Sequence, residues 1–118
     1  IYTLSLHDAL PISEPWFTLI KLGLKTVEGR LNKGDFGKMN IGDTITFYNE
    51  DFEYREVTVK ITKINNYKTF EKYLKKETLT NCLPGFYRIR DGLKVYYKYF
   101  SIEDEKEYKI KAFHLDFI

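Results

Sequence analysis

Cysteine occurs once in the 118 residues, at Cys82, which excludes an intrachain disulfide and a cysteine-built zinc cluster. Histidine occurs only at His7 and His114, with no metal-ligand spacing, so no metal and no cofactor is expected. Ser5, Ser13 and Ser101 are the serines. None has the flanking glycines of a nucleophile elbow, which argues against a Ser-His-Asp hydrolase. The seven glycines form no phosphate loop of either standard spacing. No apolar run approaches the roughly 18 residues that cross a bilayer, so no membrane partner is expected. Charge of one sign is also scarce: 19 Lys+Arg oppose 17 Asp+Glu, a net +2, too little to indicate nucleic acid by itself. Any chemistry falls to Lys, Glu, Asp, Arg, Thr or Tyr.

Aromatic residues are abundant, with ten Tyr, nine Phe and one Trp making up 17% of the chain. At 118 residues one domain is expected, burying roughly two-thirds of the accessible surface of the unfolded chain. The segment 1–13, IYTLSLHDALPIS, lacks the basic start of a leader and is interrupted by Asp8. Its first twelve residues match one reading frame of a widely used sequencing-adapter oligonucleotide. Segment 1–13 is therefore read as adapter-derived, with Leu10 and Ile12 able to imitate a first strand despite the donor lost at Pro11. The domain is then 14–118, at net +3 once Asp8 is set aside. An unpaired cysteine and no leader imply a cytoplasmic protein.

Patterning beyond Glu14 alternates between strand and helix periods. Glu14-Pro15-Trp16 opens a short helix that ends at Gly23, and Thr26–Arg30 follows as a strand. Asn32–Asp35 and Asn40–Asp43 are turn signals. Thr44–Tyr48 places Ile45 and Phe47 inward, and 49–53 is a hairpin loop. Val57, Val59 and Ile61 alternate with polar residues, the clearest half-buried strand. Phe70, Tyr73 and Leu74 mark a helix to about Glu77. Leu93, Tyr96, Tyr97 and Phe100 mark another. Ser101 caps the acidic turn 103–105, and Tyr108–Phe117 closes the chain as a strand with a bulge or burial on both faces. Strands with helices inserted between them predict an α+β fold, a small β-barrel or curled sheet.

The most informative segment is Glu14–Arg30, EPWFTLIKLGLKTVEGR. On a strand at 26–30, alternation puts Val27 on one face and Glu28 and Arg30 on the other. Val27 needs the core, so Glu28 and Arg30 turn to a cleft or to solvent. Two cations, Lys25 and Arg30, around Glu28 keep it ionised. Such a cluster suits a planar polar ligand, with Lys25 and Arg30 meeting phosphate or carbonyl oxygen and Glu28 accepting from a base amino group. It equally suits a salt bridge that fixes the strand. Trp16, Phe86 or Tyr87 could stack a base, and Trp16 also fits a core anchor.

Gly23-Leu24-Lys25-Thr26-Val27-Glu28-Gly29-Arg30 fits G-x-K-x-x-E-x-R, and with Pro15-Trp16 upstream and Ile41-Gly42-Asp43 before a strand it resembles the ASCH (activating signal cointegrator homology) domain over 14–118. The resemblance implies a PUA-like β-barrel with inserted helices and a charged cleft. The function it implies is recognition of RNA or of a nucleoside or nucleotide, with Trp16, Lys25, Glu28 and Arg30 as the ligand-binding set. One branch of the family hydrolyses N4-acylated cytidines. Carried over, that amidohydrolase alternative uses Lys25 and Glu77, or in second place Glu71. Glu28 stands where that branch has its nucleophilic Thr, so Glu28 would have to activate water as general base. A third expectation is a protein-interaction module of transcription-coregulator type. A monomer is expected.

Overall fold

Alternation of apolar and polar side chains over residues 44–49 and 55–61 drives the central hairpin, because a half-buried strand needs one apolar face. The computed structural model describes residues 9–118, so His7 and Asp8 lie outside the described residues. Its elements run β1 (Leu10–Pro11), α1 (Trp16–Lys21), β2 (Val27–Leu31), α2 (Gly34–Lys38), β3 (Thr44–Asn49) and β4 (Arg55–Tyr67). They continue with α3 (Phe70–Glu77), α4 (Leu79–Cys82), α5 (Ile89–Tyr99), α6 (Ile102–Tyr108) and β5 (Ile110–Phe117). The strands form one sheet in the order β1-β3-β4-β5-β2. β1 pairs parallel with β3, and the other neighbours pair antiparallel. The sheet curls into a half-barrel with the helices against it, an α+β fold of the PUA-like kind.

β4 runs on to Tyr67, well past the apolar alternation that ends near Ile61. The register against β5 slips between Ile61 and Lys63, so Thr62 is an extra residue that bends the strand. Downstream of that bulge β5 buries both Ala112 and Phe113. The burial on both faces expected for the last strand is present, and the bulge belongs to β4, its partner. β5 begins at Ile110 because Tyr108 closes α6 and Lys109 turns the chain at φ 63°. Ser101 caps α6 through a hydrogen bond from the Asp104 amide.

β1 lies at the sheet edge, where Ile12 N–H donates to Tyr48 O at 3.0 Å and the Asn49 side-chain Nδ2 donates back to Ile12 O. Since Ile12 N–H points toward β3, the nitrogen of Pro11 points away from it, and the missing donor costs no ladder bond. The core gathers Phe17, Ile20, Ile45, Phe47, Ile61, Phe70, Tyr73 and Phe113, with buried side chains on both faces of β2 and β5. Gly29 is required by this packing: a Cβ there would sit 2.4 Å from Cζ of Tyr73.

Candidate functional site: a buried ion cluster beneath an aromatic cleft

Glu14 starts the local architecture. Its carboxylate accepts from the Thr18 amide and hydroxyl at the start of α1 and from Arg55 Nη2, which fixes the helix against β4. Gly23, at φ +77°, lets the chain leave α1 sharply. Two residues later Lys25 enters the interior with 2% of its surface exposed. Its ammonium donates to Val27 O at 2.7 Å and to Cys82 O, and lies 3.0 Å from Glu28 Oε1. An ammonium has three N–H donors, and these three acceptors use them all. Lys25 therefore holds β2 to the end of α4 and anchors Glu28, and has no proton left for a ligand.

Glu28, 5% exposed, accepts at its other oxygen from Arg30 Nε at 2.8 Å. Burial by itself pushes this carboxyl up. The charges of Lys25 and Arg30, with their hydrogen bonds, outweigh burial and leave it below the ordinary carboxylate range. Each carboxylate oxygen has a second lone pair, so Glu28 keeps acceptor capacity. Arg30 is more open. Its guanidinium lies over the Phe36 ring at 4.6 Å, and among the described residues only Nε has a protein partner. Two terminal nitrogens remain for a ligand.

These residues floor a cleft of about 590 Å³. Trp16, Tyr48, Tyr96, Tyr99 and Phe100 wall it, and Asn49, Glu50 and Asp51 form its rim with Ser13. The four residues expected to bind ligand, Trp16, Lys25, Glu28 and Arg30, thus share one cleft. Trp16 is 8% exposed and packs on Phe86 with ring centroids 5.9 Å apart, so it serves the core as well as the wall. Tyr87 is exposed and lies outside the cleft. Behind the floor, Tyr96 and Tyr73 exchange a hydroxyl hydrogen bond of 2.8 Å. Burial holds both phenols well above their usual pKa, so both stay protonated. The Cys82 thiol is pushed up to about 11, chiefly by burial, which makes it inert.

Glu77 is not in this cluster. His114 pairs across the sheet with Val27 and therefore shares its face, whereas Glu28 points to the other. Glu77 reaches His114 on that opposite face, with Oε1 2.8 Å from Nε2. Its Oε2 accepts from Asn65 and from the Tyr67 hydroxyl at 2.7 and 2.6 Å. Burial raises this carboxyl, but bonds from Tyr67, Asn65 and His114 outweigh it and set it below the ordinary range. Glu77 and His114 line a second cleft with Lys63, Lys72, Lys75 and Lys76. Glu71 is exposed and paired with Lys75. The lysines crowded into 21–38 in sequence do not form one basic surface: Lys25 is internal, and Lys33 stacks on Tyr108 and faces Asp104.

A curled five-stranded sheet carrying a Lys-Glu-Arg cluster under an aromatic cleft defines a PUA-like domain. The chain belongs to the ASCH domain family, whose model matches residues 10–116. It is similar to hypothetical protein PH0355, whose crystal structure superposes with a TM-score of 0.83 at 34% identity, covering 93% of this chain and 97% of that one. It is also similar to protein PF0455 from Pyrococcus furiosus, a solution NMR structure with a TM-score of 0.74 and 32% identity, covering 92% and 94%. No curated protein matches the sequence. Among the described residues no group of His, Cys, Asp and Glu could hold a metal ion, and no helix is long and apolar enough to cross a membrane.

Proposed function

We propose that the aromatic cleft receives one unstacked base of an RNA, or the base of a free nucleoside or nucleotide. The observation that carries this is the floor. An ionised, buried Glu28 with spare acceptor capacity lies beside an Arg30 with two uncommitted nitrogens, beneath rings that can flank a planar group. Glu28 accepts from an exocyclic amino group, Arg30 donates to a carbonyl or phosphate oxygen, and the aromatic walls exclude water. Lys25 acts through Glu28, holding it charged and in place. The hydrolytic alternative needs Lys25, Glu28 and Glu77 around one substrate, and it draws no support from a Lys25 with all its protons committed and a Glu77 on the other sheet face.

Trp16 is the one tryptophan of the chain, so its emission reports the cleft directly. Titration with cytidine, adenosine, uridine, guanosine and short single-stranded RNAs is expected to quench Trp16 saturably with at least one of them. A folded protein whose Trp16 emission ignores all of them would overturn the reading.

A further inference from the structure

The second cleft has the electrostatics that the first lacks. The aromatic cleft is lined by two cations, Lys25 and Arg30, against three carboxylates, Glu28, Glu50 and Asp51. A phosphodiester chain gains little there beyond Arg30. The cleft over α3 and β4, about 720 Å³, is lined by four lysines against one carboxylate, Glu77. That carboxylate is turned inward onto Asn65, Tyr67 and His114. Lys75 is paired with Glu71 at 2.7 Å. Among the described residues Lys63, Lys72 and Lys76 have no carboxylate within 4.0 Å.

The placement follows from the fold. Lys72 and Lys76 are one helical turn apart on the exposed side of α3. Lys63 reaches the same cleft from just after the β4 bulge, opposite His114 on β5. Asn66 adds an exposed amide. The segment Glu77–Cys82 carries a contact to each cleft. Its first residue anchors His114 in the lysine cleft, and its last gives its carbonyl to Lys25 in the aromatic one.

We propose that this lysine cleft is a phosphate-backbone site for single-stranded RNA, so that a strand crosses the Glu77–Cys82 segment with its phosphates on Lys63, Lys72 and Lys76 and one base in the aromatic cleft. This rests on the base-binding reading only for the position of that base; the lysine contacts stand without it. Concavity favours a strand over a membrane, because a flat anionic surface meets the lysine tips but not the half-buried His114 between them. Glu77 is the positioning residue: bonded inward to Asn65 and Tyr67, it holds His114 Nε2 turned inward.

The test is a fluorescence anisotropy titration of a labelled 12-nucleotide single-stranded RNA against wild type, Lys72→Gln/Lys76→Gln and Lys72→Arg/Lys76→Arg, at several salt concentrations. Cytidine quenching of Trp16 is followed in parallel. The Gln pair is expected to weaken RNA binding about tenfold and to flatten the log K against log salt slope by about 1.4, since each single-strand phosphate contact contributes about 0.7. The Arg pair is expected to bind like wild type, and cytidine quenching is expected to be the same in all three. Wild-type RNA affinity and salt slope in the Gln pair would overturn the proposal. So would a wild-type protein that binds phosphatidylserine vesicles through these lysines but no RNA. If none of the four nucleosides and no RNA quenches Trp16 while the Gln pair still loses RNA, the base-binding reading falls and the lysine site stands.

Discussion

The ammonium of Lys25 lies 3.0 Å from Glu28 Oε1, with both side chains almost wholly buried. The two residues are three apart in sequence, at the junction where the chain leaves Gly23 and enters β2. Their pairing lets a carboxylate sit charged at the bottom of an apolar cleft. The same contact makes the cluster fragile, because each charge is tolerable inside only while the other is present.

Breaking the pair from one side therefore costs more than removing it. Lys25→Met leaves Glu28 short of one cation and strips donors from Val27 O and Cys82 O. The expected loss in urea unfolding is about 3–5 kcal/mol. Lys25→Met/Glu28→Gln is expected to recover part of that loss, because no uncompensated charge remains inside. A double variant no better than the single one would contradict this.

Acid stability carries the signature of the two lowered carboxyls. Glu28 and Glu77 both titrate below their ordinary value in the folded chain. The unfolded chain thus binds protons first as pH falls. Their stabilisation is complete above the ordinary carboxylate pKa and is lost as pH drops through the folded value. Urea midpoints of wild type should decline below about pH 4.5. Glu77→Gln, which keeps one acceptor oxygen for Asn65 and Tyr67 and cannot titrate, should decline less steeply; an identical acid limb would refute the assignment.

Gly29→Ala tests the packing behind the site. The added methyl meets the Tyr73 ring at 2.4 Å, and that ring is held by its hydroxyl bond to Tyr96. Overpacking of this kind costs about 1–3 kcal/mol. Thermal unfolding should show the loss, and Gly29→Ala/Tyr73→Leu should recover much of it. Equal losses in the two variants would place the strain elsewhere.

Amide hydrolysis is expected to be absent. Chromatography of N4-acetylcytidine incubated with the protein should show no cytidine above the uncatalysed background. Release that disappears in Glu28→Gln would contradict this and make Glu28 a general base.

Much of this fold is legible in the sequence because its strands are half-buried. Ile45, Phe47, Val57, Val59 and Ile61 announce the central hairpin, and Ser101 announces the start of α6. What is hidden has physical causes. The far half of β4, residues 62–67, loses its alternation at the Thr62 bulge and carries Lys63, Asn65 and Asn66, residue types depleted in strands. α2 and α4 are five and four residues long, too short for any period. Tyr108 fits the apolar spacing of β5, but hydrogen bonding keeps it in α6.

The site divides in the same way. Val27 alone requires Glu28 and Arg30 to share the other face, so their cluster follows from strand alternation. The commitment of Lys25 does not, because one of its partners is a backbone carbonyl 57 positions away. The lysine cleft leaves no local trace either. Lys72, Lys75 and Lys76 look like the solvated face of any short amphipathic helix, and Lys63 and His114 join them only through the sheet.

Arg30→Ala is the most direct test of the base-binding account. Arg30 is the partly exposed member of the cluster, with 21% of its side chain accessible, so its truncation leaves the Lys25–Glu28 pair in place. With an unchanged circular dichroism spectrum, the variant should bind the RNA or nucleoside that quenches Trp16 at least about tenfold more weakly, the loss expected for a charge-assisted hydrogen bond. A folded Arg30→Ala protein that binds every such ligand as tightly as wild type would contradict the account.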